Sequence, residues 1–128
     1  MQHDTQKQQL IEHYINAYNR FDVAGMVKDL HPDIAFENIS NGTTNLRLPG
    51  ISAFKKQAEQ AARYFREREQ RVKSIYFSHD VAALEIDYTG IVAVDMPNGM
   101  KAGATISLQG RSMFYFKDEK IIKIQDIS

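Results

Sequence analysis

Apolar positions along the chain repeat with two different periods, and the change of period divides it into a helical and an extended part. Leu10, Ile11, Tyr14, Ile15 and Tyr18 recur at intervals of three and four, which predicts an amphipathic helix. After "NRFD" a shorter helix follows, with Asp22 as its N-cap and Val23, Met26, Val27 and Leu30 turned inward. It should end at "HPD", because the residue before Pro32 is driven out of helical conformation. "IAFENIS" alternates as a short strand and "NGTTN" turns it. "ISAFKKQAEQAARYFRERE" predicts a third helix whose stripe is Ile51, Phe54, Ala58, Ala61, Ala62 and Phe65. From Val72 the period becomes two: "KSIYFS", "AALEIDYTGIVAV", "KAGATISLQGRSMFYF" and "IIKIQDI" read as strands bounded by "HD", "PNG" and "KDEK". Asn98-Gly99 is the clearest hairpin signal. Gly90 and Gly110, each inside a strand, suggest bulges or bends that curve the sheet.

Helices first and antiparallel strands afterwards predict an α+β fold. Its N-terminal helices pack on the concave face of a strongly curved mixed or antiparallel sheet and enclose a pocket. No repeat or linker interrupts residues 1–128, so one domain is expected.

The last strand poses a chemical question. By alternation Ile122, Ile124 and Asp126 share one face and Lys123, Gln125 and Ile127 the other, which points a carboxylate toward the apolar side. It is either a solvated terminal group or a working acid in a cavity. The same alternation directs Leu108, Ser112, Phe114 and Phe116 inward, with Leu84, Ile86, Tyr88, Val92 and Val94, and with Phe36 and Asn38. The candidate pocket is therefore Tyr14, Tyr18, Phe36, Asn38, Phe54, Tyr88, Leu108, Ser112, Phe114, Ile124 and Asp126, mostly apolar with a few polar groups. Each polar member has a structural alternative. Tyr14 and Tyr18 could pack as core rings with hydroxyls at the rim, and Asn38 could satisfy backbone groups near the "NGTTN" turn. Arg111 faces outward by phase, but a bulge at Gly110 would swing it toward Asp126 and hold that acid ionised.

Composition removes several function classes. At 43% hydrophobic, 128 residues can bury a core unaided. The absence of cysteine excludes disulfides, thiolate metal sites and cysteine nucleophiles. His3, in a start expected to be disordered, His13 on a polar helix flank, His31 before a proline and His79 in a turn match no ligand spacing, so no metal is expected. Lys plus Arg and Asp plus Glu both number 16, so no net field draws the chain to nucleic acid or anionic lipid. The basic run "RYFREREQRVK" reads as a solvated helix face, with Arg63, Glu67 and Arg71 paired at four-residue spacing. The polar "MQHDTQKQQL" has no signal-peptide core and nothing approaches the roughly 20 apolar residues of a membrane span, which reads as a cytoplasmic protein.

The order of elements resembles the nuclear transport factor 2-like superfamily, the cone-shaped α+β fold of ketosteroid isomerases and SnoaL-like polyketide cyclases. "YINAYNRFDVAGMVKDLHPDIAFEN" is similar to its opening helix pair and first strand, and "FYFKDEKIIKIQDIS" to its closing hairpin. The resemblance implies an oxyanion-donor role for Tyr14. Ketosteroid isomerases also need an aspartate base and a second acid held protonated, and those positions fall on Asn38 and Ser112, which excludes that mechanism. The SnoaL-like closing strand "I-V-E-H-W-D" matches Ile121 to Asp126 without a gap, which puts Asp126 where the cyclases carry an acid/base, while Ile124 and Gln125 replace the histidine and tryptophan.

Two readings follow. In one, a cofactor-free isomerase or cyclase binds a small hydrophobic molecule, with Asp126 and Tyr14 catalytic. In the other, a non-catalytic binding or dimerisation module keeps the cone without the chemistry. A homodimer is expected through the outward sheet face, where Ile91, Ala93, Met113 and Tyr115 lie.

Overall fold

The structure is a computed structural model that describes residues 2–128. Helix α1, Gln2–Asn19, buries Ile11, Tyr14, Ile15 and Ala17 on one face, as its spacing predicts, and already includes the backbone of His3. Asp22 caps α2, Val23–Lys28, by accepting a hydrogen bond from the Gly25 N–H. This helix ends before "HPD", and Leu30 is buried as the first residue of a strand. Strand β1, Leu30–Ser40, runs through Pro32 and turns at Asn41-Gly42 into β2, Thr43–Pro49, a strand absent from the sequence reading.

Helix α3 spans only Ile51–Ala62. The remainder of the predicted helix belongs to β3, Phe65–Ser78, so the basic run is a strand and the pairing of Arg63, Glu67 and Arg71 at helical spacing does not form. Two-residue alternation replaces it: Glu67, Glu69 and Arg71 are exposed, whereas Arg68 is buried. Strands β4, Val81–Val92, β5, Thr105–Lys117, and β6, Lys120–Ile127, complete the sheet. Asn98-Gly99 turns the tip of the β4–β5 connection, where the Met96 N–H donates to the Met100 carbonyl, and does not join the strands directly. Val94, expected inside, lies in that connection and is exposed.

The six strands form one curved open sheet in the order β2-β1-β6-β5-β4-β3, antiparallel except where β1 pairs with β6. Helices α1 and α3 pack against β3 and β1. The core between helices and sheet contains Phe54, Leu84, Ile86, Phe114, Phe116, Ile121 and Ile124.

Neither Gly90 nor Gly110 carries a bulge in the β4–β5 pairing, which runs without a register shift; beside Gly90 the shift lies in β3, between Phe65 and Glu67. Bulges occur at Val72/Ser74 in β3 and between Tyr115 and Phe116 opposite β6. The second leaves Ile122 outside the pairing, so the inward residues of β6 are Ile121, Ile124 and Asp126, and Ile122 leaves the phase assigned to it. The glycines instead allow close approach. A Cβ on Gly110 would stand 2.9 Å from the Ile127 carbonyl oxygen, and one on Gly90 would stand 3.2 Å from the Phe65 ring.

Gly110→Ala should therefore destabilise the fold by about 1–3 kcal/mol, because backbone must move to admit the methyl group. Gly90→Ala should cost less, because a ring can tilt. Denaturant unfolding of the two variants measures the difference.

Candidate functional site

Three neighbouring strands bring the polar groups together. Register places Asp126 of β6 opposite Asn38 of β1 on one side and Ser112 of β5 on the other. Asp126 and Ser112 thus form a cross-strand pair, and the Ser112 hydroxyl donates to Asp126 Oδ1 at 2.7 Å. Asn38 donates through Nδ2 to Asn45 Oδ1 on β2 at 2.8 Å, a side chain rather than the backbone partner expected for it.

A cavity of about 260 Å³ opens over this row. Its walls include Asp126, Ser112, Asn38, Tyr18, Tyr88 and Leu108, with Gln70, Ile86, Gly110, Arg111, Ile127 and Ser128 completing the lining. Leu108 is 45% exposed, so it stands at the mouth. Tyr14, Phe54, Phe114 and Ile124 are buried, Phe36 is half-buried, and none of the five lines the cavity. Their bulk fills the interior beneath it: Tyr14 contacts Phe114 and Phe54 at ring-centroid distances of 5.7 and 6.3 Å, and Phe36 meets Phe54 at 5.7 Å.

Asp126 retains some contact with the space of the cavity, yet protein surrounds its carboxyl on the other sides. That desolvation raises its pKa from 3.8 to about 6, opposed by the one hydrogen bond from Ser112. Arg111 is exposed, stands at the edge of the cavity lining and forms no ion pair with Asp126; β4 and β5 pair through Gly110 without a register shift. Tyr14, close enough to sense the Asp126 charge, has its pKa raised well above 10, first by burial and then by that charge.

Across the cavity the hydroxyls of Tyr18 and Tyr88 are hydrogen-bonded at 2.9 Å. Burial raises the pKa of both, and the Arg68 guanidinium works in the opposite direction. Arg68 lies 3.7 Å from the Tyr18 ring centroid and 4.5 Å from that of Phe21, and its Nε–H donates to the Tyr18 carbonyl at 2.9 Å. Gln70, which shares the inward phase of Arg68, is fastened to the end of α1: its N–H donates to Asn19 Oδ1 and its carbonyl accepts from Asn19 Nδ2. Sequence reasoning missed Arg68 and Gln70. The available signal was the alternation of Glu67, Glu69, Arg71 and Lys73 with Arg68, Gln70 and Val72, which period-two reading extended back from Val72 would have exposed. Among the described residues no group of three His, Asp or Glu is arranged to hold a metal ion, and no helix is long and apolar enough to cross a membrane.

The raised pKa of Asp126 has a defined consequence for stability. The folded chain holds this proton more tightly than the unfolded chain. The contribution is fully present below about pH 4 and is lost as pH rises through about 6. Asp126→Asn removes that dependence while keeping an acceptor for Ser112. The variant should unfold with a flatter pH profile across this window and, at neutral pH, should match or exceed the parent by up to about 3 kcal/mol. Denaturant unfolding at several pH values, with carboxyl titration by NMR, checks both points.

A SnoaL-like domain model matches residues 11–124. No curated protein matches the chain by sequence. Among solved structures, a polyketide cyclase candidate from Xanthomonas campestris pv. campestris is similar with a TM-score of 0.82 at 20% identity, over 97% of this chain and 90% of its own. A SnoaL-like polyketide cyclase candidate from Jannaschia sp. CCS1 also gives 0.82, at 13% identity, over 95% and 84% of the two chains. An epoxide hydrolase of M. tuberculosis gives 0.77 at 16% identity over 96% and 82%. At these identities the likeness establishes the fold and leaves the reaction open. The match over most of the sequence and the agreement in fold together make the chain a member of the SnoaL-like domain family, within the nuclear transport factor 2-like superfamily.

Proposed function

We propose that the cavity binds a small, largely apolar carbonyl compound and that Asp126 moves a proton to and from the carbon beside the carbonyl. The observation that carries this reading is a carboxyl group in the wall of a cavity, with one hydrogen-bond donor, no cationic partner and a pKa of about 6. A base with that pKa is ionised at neutral pH and still returns its proton readily.

The reaction proceeds in two steps. The Asp126 carboxylate takes the α-proton, and the electron pair of the C–H bond passes into the carbonyl to form an enolate. The negative oxygen needs a donor, and the Tyr18–Tyr88 hydroxyl pair is the donor in the cavity wall. Tyr14 supports the site from below through its contacts with Phe54 and Phe114. Where a carbon–carbon double bond is conjugated with the enolate, its remote carbon takes the proton back from Asp126 and the double bond shifts, giving an isomer; alternatively the enolate carbon attacks a second carbonyl of the same molecule, giving a ring whose new alkoxide takes the proton from Asp126. The likeness to the Xanthomonas and Jannaschia proteins, both polyketide cyclase candidates, is in keeping with the second outcome. The same reading includes a second copy of the chain against the outward sheet face, where Ile91, Met113 and Tyr115 are only half-buried. A concentration-independent monomer in sedimentation would exclude that pairing.

Small aryl ketones and 1,3-dicarbonyl compounds, incubated with the protein in D2O, should exchange their α-protons with a rate that rises with pH through about 6. Asp126→Asn should lower that rate by at least about a hundredfold, the lower end of what a positioned base contributes. Unchanged exchange in the variant would remove Asp126 from the chemistry. Binding without exchange in the parent would leave a ligand-binding module.

A further inference from the structure

Arg68 is a buried cation without a buried anion. It is 6% exposed, and among the described residues it forms no ion pair with any carboxylate. Its Nη2 is enclosed and has no hydrogen-bond partner. The guanidinium is nevertheless held on two sides, by the rings of Tyr18 and Phe21 and by the Tyr18 carbonyl. Burial of an uncompensated charge is costly. If the only task of the side chain were to pack α1 against β3, an apolar residue of similar length would perform it at lower cost.

The surroundings indicate where that charge acts. Tyr18, on whose ring it stacks, is one half of the hydroxyl pair in the cavity wall. Arg68 lies one inward position from Gln70, and Gln70 is in register with Tyr88, the other half of the pair. A second cation, Arg111 of β5, lines the cavity beside the β6 wall that carries the Asp126 carboxyl, whereas Arg68 stands behind the opposite α1–β3–β4 wall. Charge moving from Asp126 to a ligand oxygen would run toward this cation. Two hydroxyls bonded to each other share one hydrogen and leave one O–H to donate outward. A cation over the Tyr18 ring strengthens that donor through the chain of bonds.

We infer that Arg68 is a positioning residue of the site: stacked on Tyr18, it fixes and polarises the Tyr18–Tyr88 hydroxyl pair so that the pair donates to a negatively charged ligand oxygen, that of an enolate or a phenolate. This rests on the reading of the cavity as a proton-transfer site. It goes further in making the opposite wall selective for an oxyanion over a neutral ligand of the same shape.

The test compares two probes in the Asp126→Asn background, where the acid no longer repels an anion. One is 4-nitrophenolate at about pH 8, where this phenol is ionised while unperturbed tyrosine is not. The other is neutral nitrobenzene. Arg68→Met should weaken 4-nitrophenolate roughly tenfold or more relative to nitrobenzene, the range expected when a charged hydrogen-bond network loses its cation. Arg68→Lys, which keeps the charge but not the flat stack, should restore part of that ratio. Tyr88→Phe should reduce the ratio with Arg68 intact, and it carries the test if Arg68→Met does not fold. Equal weakening of both probes in Arg68→Met, or an unchanged ratio in Tyr88→Phe, would reduce Arg68 to a packing residue and overturn the inference while leaving the cavity reading in place. If the Asp126→Asn protein bound neither probe, and the parent did not bind nitrobenzene, the cavity reading would fall and this inference with it.

Discussion

Strand β6 lies between β1 and β5, parallel to one and antiparallel to the other, and the pocket depends on that seating. A strand with partners on both sides has its backbone groups satisfied in both directions, so the register of β6 is strongly held. That register puts Asp126 between Asn38 and Ser112. A shift by a single residue would put Gln125 in the place of the carboxyl and turn Asp126 to the outer face. The chemistry assigned to the carboxyl thus follows from backbone pairing before any side chain is considered.

The two faces of the same strands treat a carboxylate in opposite ways. Glu37, next to Asn38 in sequence, faces outward and accepts hydrogen bonds from Gln125 and Arg47, with Lys123 at 3.5 Å. The Gln125 hydrogen bond, with Lys123 and Arg47 beside it, lowers its pKa. Asp126, one strand over and facing inward, has only Ser112, and its pKa rises. For Asp126 desolvation outweighs its single donor, whereas for Glu37 the donors and cations outweigh desolvation. Glu37 ties β2, β1 and β6 together as a permanent anion. Asp126 is left close to the point at which it changes charge.

The sequence made the period change, the helix pair and the inward phase of Asp126 readable, because each rests on spacing within one element. Asp126 kept its predicted phase because the bulge of the closing hairpin lies before Ile124, where it displaces only Ile122. Arg68 was hidden because its neighbours also fit the four-residue spacing of helical ion pairs, and charge pairing outweighed alternation in a segment without apolar residues. Strand β2 was missed for a related reason: in "TTNLRLP" only Leu46 and Leu48 alternate, and the strand sits at the sheet edge with little to bury. Which inward residues line the cavity and which fill the core beneath it is set by packing between elements. Tyr14 and Tyr18 share one helix face, yet Tyr14 lies in the core and Tyr18 in the cavity wall.

The parallel pairing of β1 with β6 also bears on how the fold is reached. Glu37 and Gln125 are 88 positions apart, and the strand that must lie beside β1 is the last element of the chain. The hairpins β3–β4 and β4–β5 can zip locally, but β1 must wait for a partner that arrives only after a large loop has closed, at an entropic cost that slows folding. Until β6 is seated, β1 exposes Leu30, Ile34 and Phe36 along an open edge, the kind of surface on which an incomplete chain associates with another. The step that brings Asp126 into the cavity is then the same step that removes this hazard, so chains that complete the site also leave the population prone to aggregate.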